Sequence, residues 1–204
     1  MNVFILNTGR CGSVTFIRAC QHISNYTAGH ETRSNRIGDA HFNYPDNHIE
    51  ADNRLAWFLG RLDRAYGDNA IYVHLRRDPD ATARSYVKRY GGGIIRTYRK
   101  SILMGRPDIS DPMTVSQDFL DTVTSNIELF LRDKSQVIDF SLENTHQDFR
   151  KFFNVIKAKG DLNAALSEWD SSYNAYGQWK LPIKLQRIAR QLRGILPTEK
   201  ERNH

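Results

Sequence analysis

The sequence predicts an α/β domain of three layers, a parallel sheet flanked by helices on both faces. Three observations carry this reading. Short β-rich apolar runs alternate with segments of helical periodicity, an order that calls for parallel strands joined by right-handed crossovers. Two of the runs, residues 2–7 (NVFILN) and 70–75 (AIYVHL), are nearly continuous in apolar character, as strands covered on both faces are. A chain of 204 residues, 40% hydrophobic and 25% charged, is long enough for one soluble domain with a sizeable core.

The first strand, residues 2–7, ends at Thr8-Gly9. From Ser13, apolar residues recur at Val14, Ile17, Ala19 or Cys20 and Ile23, one face of a helix. The opening unit is therefore strand, glycine-containing loop, helix. A second short strand is expected around Tyr26–Ala28. The polar, histidine-containing stretch that follows to Asn47 is long for a structureless connection, which marks it as a functional candidate. His48–Asp52 reads as a third strand. Asn53 is placed to cap a helix with Leu55, Phe58 (or Leu59), Leu62 and Ala65 on one face. After the strand Ala70–Leu75, Asp78-Pro79 supplies an N-cap and a first helical residue, where proline is pre-set and its missing N–H costs nothing. That helix runs to about Tyr90 and stops at Gly91-Gly92-Gly93. Thr114 and Gln117 form a capping box for a long helix bearing Val115, Phe119, Val123, Ile127 and Phe130. Gln136–Phe140 is the last strand, followed by helices near 145–157 and 161–168. A final helix, about 180–195, places Leu185, Ile188, Leu192 and Ile195 on one face and Arg187, Arg190 and Arg193 on the other.

Composition narrows the function classes. No apolar run approaches the roughly 18 residues of a membrane span. Residues 1–7 have neither the basic start nor the apolar length of a signal peptide, so the expected location is cytoplasmic. Cys11 and Cys20 show no CxxC spacing and no metal-ligand pattern, which speaks against a disulfide scaffold and a structural zinc site. The net charge of +6 is concentrated at one end. Residues 180–204 carry seven basic side chains against two acidic ones, which leaves +1 for residues 1–179. The predicted division is thus an α/β domain over 1–179 and a basic amphipathic helix and tail over 180–204. The tail's basic face reads as solvated; contact with nucleic acid, a membrane surface or an acidic partner is the sharper, less favoured reading.

Two constellations carry chemistry. The first is Thr8-Gly9-Arg10-Cys11-Gly12-Ser13, between the first strand and the first helix. Such a loop can aim backbone N–H groups at an anion, with the positive end of the helix behind them. Gly9 and Gly12 allow close approach, Ser13 adds a hydroxyl and Arg10 a permanent charge. A tight turn needing glycine for shape alone accounts for the same spacing. This is not a Walker A loop: Ser13 follows Gly12 directly, and residues 1–87 contain no lysine. The second constellation is Arg77, leaving the fourth strand, with Ser85 eight residues later and two turns along the next helix. A guanidinium fork and a hydroxyl can grip one phosphate from two sides. The bland alternative pairs Arg77 with Asp78 or Asp80 and leaves Ser85 to solvent.

Together the two segments resemble the nucleotide-binding signature of sulfotransferases that use 3'-phosphoadenosine 5'-phosphosulfate (PAPS). In that family a strand–loop–helix similar to NTGRCGSVTF holds the 5'-phosphosulfate. An Arg-x-Pro segment with a serine eight residues beyond the arginine holds the 3'-phosphate, as Arg77-Asp78-Pro79 and Ser85 stand here. The resemblance is close over about 25 residues and loose over the strand–helix order of residues 1–157. It implies a P-loop NTPase-like sulfotransferase fold, and Gly-Arg-x-Gly-Ser is most similar to bacterial and carbohydrate-type members. Val14 departs from the family's frequent threonine. The basic glycine-rich loop of cytosolic members has no counterpart except Gly91-Gly92-Gly93 with Arg96. The resemblance further implies that Thr8, Gly9, Arg10, Cys11, Gly12, Ser13, Val14, Arg77 and Ser85 bind PAPS. It implies no metal, adenosine 3',5'-bisphosphate as product, and in-line transfer of the sulfuryl group to an acceptor hydroxyl of a small molecule or glycan.

The acceptor needs a base, and residues placed beyond the strand ends are His30, Glu31, His41, His48, Glu50 and Asp52. Carbohydrate-type relatives place a glutamate just after the second strand, and Glu31 in Ala28-Gly29-His30-Glu31 resembles it. Other members use a histidine after the third strand, where this sequence offers Asp52. Glu31 is the favoured base, Arg10 the group that stabilises charge on the leaving phosphate, and Asp52 and His30 the remaining catalytic candidates. His30, His41 and His48 also read as solvated loop histidines, and His74 as a core residue. Trp57, Tyr44, Phe42, Tyr90 and Tyr98 could stack on an acceptor or fill the core. Two rival classes stand beside this reading. An ATP-dependent small-molecule or nucleotide kinase has the same architecture, with Asp52 imitating a Walker B ligand, although Gly-Lys is missing. A non-catalytic binding module would act through the basic tail.

Overall fold

Five strands form one wholly parallel sheet in the computed structural model, which describes residues 1–105 and 111–171. They are β1 (Asn2–Leu6), β2 (Thr27–His30), β3 (His48–Ala51), β4 (Ala70–Arg76) and β5 (Val137–Ser141), in the spatial order β2-β3-β1-β4-β5. The helices are α1 (Ser13–Cys20), α2 (Leu59–Tyr66), α3 (Pro79–Val87), α4 (Gly93–Thr97), α5 (Pro112–Leu131), α6 (Thr145–Val155) and α7 (Leu162–Ser167).

Strand alternation explains the three layers. Val3 and Ile5 of β1 point into one core with Phe16 and Ile17 of α1, Phe149 and Phe152 of α6 and Leu166 of α7. Phe4 and Leu6 point into the other, with Leu62 of α2, Tyr86 of α3 and Phe119, Val123 and Ile127 of α5. Every residue of β1 is buried, and all but Asn2 are apolar, as a strand covered on both faces requires. Phe16 meets Phe140, Phe149 and Phe152 edge-on, with ring centroids 4.9, 5.7 and 5.0 Å away. Edge-on aromatic pairs of this kind add about 0.5–1.5 kcal/mol beyond the area they bury.

The same alternation positions the site. Ile5 and His30 are both in register with Ala51, and Arg76 with Ser141, so the C-terminal ends of the strands lie along one edge of the sheet. Neighbouring strands β1 and β3 send the chain to opposite faces, to α1 and to α2 respectively. Where connections diverge in this way, an open α/β sheet has its ligand crevice.

Several local expectations are corrected. The cap after β3 is Asp52, not Asn53; its side chain accepts the Arg54 N–H, and a 3₁₀ turn (Asn53–Trp57) precedes α2. The cap of α5 is Asp111, with Pro112 at the first helical position, so Thr114 donates to the cap instead of being one. α3 ends at Val87, and the glycine run leads into α4 and a π-helical turn over Tyr98–Ile102. β2 lies later than expected, which puts His30 inside the strand and Glu31 immediately after it. No helix of the described residues is long and apolar enough to cross a membrane. The basic helix expected at 180–195, and the division at 179, lie outside the described residues.

His74 is an interior residue of β4, only 4% exposed. Burial lowers its pKa to about 4, helped by Arg76 and opposed by Asp139. The unfolded chain takes up this proton near pH 6.5 and the folded chain only near 4. Its contribution is therefore complete above about pH 6.5 and shrinks as pH falls toward 4. Between pH 7.5 and 4.5 the wild type should lose about 2.5 kcal/mol more than His74→Leu. Urea unfolding at the two pH values measures this; equal losses in the two proteins would show that His74 does not titrate as described.

Candidate active site

Asn7 organises the turn that follows β1. Its Nδ2 donates to the Ile5 carbonyl at 3.1 Å, and its Oδ1 accepts the Gly9 N–H at 2.8 Å. Gly9 and Gly12 have φ of 84° and 85°, conformations that favour glycine. A Cβ on Gly9 would lie 2.4 Å from the Tyr86 hydroxyl, and one on Gly12 would lie 2.6 Å from a Leu142 methyl. Both glycines are thus required by the turn itself. Thr8 Oγ1 donates to the Gly9 carbonyl at 3.2 Å and lies 3.2 Å from Cys11 Sγ. Burial pushes the Cys11 thiol up, so Cys11 packs as a neutral group. The side chains of Thr8 and Cys11 and the N–H of Gly9 are engaged within the loop.

The entrance to α1 is different. Gly12 stands at its N-cap position with no side-chain cap, and the first turn holds no acidic residue. First-turn N–H groups have no intrahelical acceptor, and the helix dipole is positive at this end. Ser13 opens the helix with its Oγ 3.0 Å from His30 Nε2, and Val14 beside it is half-buried.

Cations converge on this entrance. Arg10 itself has a left-handed backbone, φ 62°. Its Nε donates to Ser85 Oγ at 3.1 Å, and Arg77 Nη1 donates to the Arg10 carbonyl at 3.2 Å. The Arg10 pKa is lowered by burial first, then by Arg89, with Arg77 adding to the fall and Tyr86 and Cys11 opposing it. Arg77 and Arg89 are therefore both close enough to act on the charge of Arg10, which itself holds the Ser85 hydroxyl. Asp78 instead caps α3 through the Ala81 N–H and has Arg84 at 3.9 Å, so Arg77 is turned toward the loop. Arg89 was not singled out from the sequence. Its spacing of four residues from Ser85, one helical turn, was the available signal.

The carboxylate candidates separate by burial and partner. Glu31, at φ 53°, has its N–H bonded to the Ala51 carbonyl and its Oε1 2.9 Å from Arg54 Nη1. Asp52 is fully buried; Ser34 Oγ donates to its Oδ2 at 2.6 Å and the Arg54 N–H to its Oδ1 at 2.8 Å. Glu50 is also fully buried. It accepts both the N–H and the hydroxyl of Thr32 at 2.7 Å and lies 2.9 Å from His48 Nε2. His48 Nδ1 in turn lies 2.7 Å from Thr27 Oγ1, which makes Glu50 and His48 a polar staple between β2 and β3. His41 has Nδ1 3.0 Å from the Arg36 carbonyl and is enclosed by Phe42 and Phe58. His41 and His48 are thus buried, not solvated as loop histidines would be.

Tyr86 ties the two halves together. Its hydroxyl donates to the Thr8 carbonyl. Burial pushes its titration far up, and Cys11, Arg10, Glu31 and Arg54 all act on it electrostatically. The loop, the arginine cluster and the Glu31–Arg54 pair therefore occupy one region. Arg54 was missed in the sequence, because its pairing with Glu31 depends on β2 and β3 being neighbours. Of the aromatic candidates, Phe42, Tyr44 and Tyr98 are core residues, while Trp57 and Tyr90 are half-buried. Among the described residues, no three His, Cys, Asp or Glu side chains are grouped to hold a metal ion.

No protein-family model matches the chain, and no curated protein matches it. Five solved chains do match. One is the sulfotransferase domain from the curacin biosynthetic pathway, with TM-score 0.54 at 15% identity, over 96% of this chain and 98% of that one. At that identity the likeness establishes the fold: a three-layer, P-loop-like α/β architecture shared with a sulfotransferase domain.

Proposed function

We propose that this protein is a PAPS-dependent sulfotransferase acting on a hydroxyl of a small molecule or glycan. One observation carries the reading. Arg10, beside the uncapped entrance of α1, donates to Ser85 Oγ at 3.1 Å and accepts from Arg77 at its carbonyl, and the charges of Arg77 and Arg89 both act on it. An anion bound beside these guanidinium groups would be held by charge-assisted hydrogen bonds. The residues fit a ligand with two separate phosphate groups, since the helix entrance and the Arg77–Ser85 pair are distinct donors joined through Arg10.

Bound PAPS would supply an activated sulfuryl group, whose bond to the 5'-phosphate breaks as the acceptor oxygen bonds to sulfur. Ser13 and the first-turn N–H groups of α1 hold the 5' end. Arg10 balances charge building on the departing phosphate and keeps its own proton throughout. Arg77 and Ser85, with Arg89 beside them, hold the 3'-phosphate. Glu31 takes the acceptor proton on Oε2 while Oε1 stays on Arg54. His30 orients the Ser13 hydroxyl. In this reading Asp52 is a support: Ser34 and Arg54 engage both of its oxygens, which also argues against the metal-binding role that a kinase would need. The catalytic unit spans 1–179, and the basic segment 180–204 is an appendage to it.

Arg77→Ala and Ser85→Ala should weaken adenosine 3',5'-bisphosphate much more than adenosine 5'-phosphate, because only the former has a 3'-phosphate. A lost charge-assisted contact is worth about 1.5–3 kcal/mol, or roughly ten- to a hundred-fold for Arg77. Calorimetric titration of both nucleotides decides. Equal weakening of the two would make Arg77 a structural residue and overturn the assignment of the 3' site.

A further inference from the structure

We propose that Arg54 is a positioning residue that holds the Glu31 carboxylate in place for proton abstraction, with buried Asp52 as its anchor. The inference rests on the reading of Glu31 as the base.

Arg54 is fixed from one side. Asp52 Oδ1 accepts its backbone N–H at 2.8 Å and lies 3.5 Å from its Nη1, so one oxygen grips both ends of the same residue. The other Asp52 oxygen is taken by Ser34 at 2.6 Å, and the Asp52 side chain is 0% exposed. An anchor so enclosed cannot swing with the substrate. On the other side Arg54 Nη1 reaches Glu31 Oε1 at 2.9 Å, where Glu31 is 35% exposed and Arg54 43%. The triad thus runs from the interior to the open crevice: fixed carboxylate, guanidinium, accessible carboxylate.

Glu31 needs such a hold. Its backbone is left-handed at φ 53°, and the Ala51 carbonyl fixes only its N–H. Left-handed backbone at a non-glycine residue persists where the surroundings over-determine it. Burial works against the charge on Arg54, but Glu31 and Asp52 outweigh it and leave the pKa raised. A permanent cation therefore sits between two carboxylates and compensates the buried one. One nitrogen, Nη1, faces both carboxylates at once, at 2.9 and 3.5 Å, a place that the ammonium of a lysine can also occupy. The adjacent Asn53 lies against the loop: its Nδ2 stands 3.0 Å from where a Cβ on Gly9 would lie.

The test uses the full chain, with Arg54→Met, Arg54→Lys and the pair Arg54→Met/Glu31→Gln. Turnover is followed as release of adenosine 3',5'-bisphosphate from PAPS, with a phenol, a primary alcohol or water as acceptor. Dissociation constants for adenosine 3',5'-bisphosphate are measured alongside. Arg54→Met should lower kcat about ten- to a hundred-fold, as a misplaced catalytic group does. Its nucleotide affinity should stay within about two-fold of the wild type, since Arg54 does not touch the arginine cluster. Arg54→Lys should recover most of the lost turnover. The double variant should be no slower than Glu31→Gln alone, because a positioning residue has nothing left to position. Unchanged kcat in Arg54→Met, or losses that multiply in the double variant, would overturn the proposal. So would a fall in nucleotide affinity as large as the fall in kcat, which would make Arg54 a strut of the whole site. If the wild type bound no adenosine 3',5'-bisphosphate, the parent reading would fall and this inference with it. Nucleotide binding with unaltered Arg54→Met turnover would sink this inference alone.

Discussion

Arg10→Met should lower kcat by about 10²–10³, the cost of removing one group aimed at charge that develops in the transition state. Methionine keeps an unbranched apolar stem and deletes the guanidinium, so packing of the loop is largely retained. Stability should respond far less than turnover, because burial, Arg89 and Arg77 all work against the charge on Arg10. The Nε bond to Ser85 at 3.1 Å is among the contacts given up. Turnover assays and thermal unfolding of the same preparation check both halves. Strong destabilisation with little change in kcat would make Arg10 a structural element of the turn.

Glu31→Gln should have the larger effect on chemistry. The substitution keeps the shape and one acceptor oxygen toward Arg54 but removes the basicity. Loss of a general base costs about 10²–10⁴ in turnover. Nucleotide affinity should be nearly unchanged, because the arginine cluster and the α1 entrance lie on other elements. Asp52→Asn and His30→Ala should lower kcat less, since one supports Arg54 and the other orients Ser13. Near-normal turnover in Glu31→Gln, with collapse in Asp52→Asn, would move the base to the end of β3.

The contrast between what could be read in the sequence and what could not follows from the range of the forces involved. β1 and β4 are legible because burial on both faces demands nearly unbroken apolar runs, and Asp78-Pro79 because a cap and its proline are local. The caps Asp52 and Asp111 are hard to tell in the sequence from Asn53 and Thr114, side chains that also cap helices. The strand end or the preceding proline decides between them. β2 is a poor signal: it is a four-residue edge strand with Thr27 exposed and only Gly29 buried. The two segments that resemble a phosphate-binding signature are legible because each is contiguous. His48 with Glu50 and Thr27, and Arg54 with Glu31, were not, because those contacts exist only once β2 and β3 are paired. Arg89 lay within reach of a helical-spacing argument, but α3 ends at Val87 and a turn completes its placement.

The most direct test of the central claim is thermal unfolding with candidate nucleotides. Adenosine 3',5'-bisphosphate at 100 times its dissociation constant adds about 2.7 kcal/mol to the folded state. For a chain of 204 residues that corresponds to a rise in Tm of roughly 5–10 °C. The account predicts this rise without magnesium, and little or none with ATP and magnesium. Stabilisation by ATP with magnesium equal to or greater than that by adenosine 3',5'-bisphosphate would contradict it.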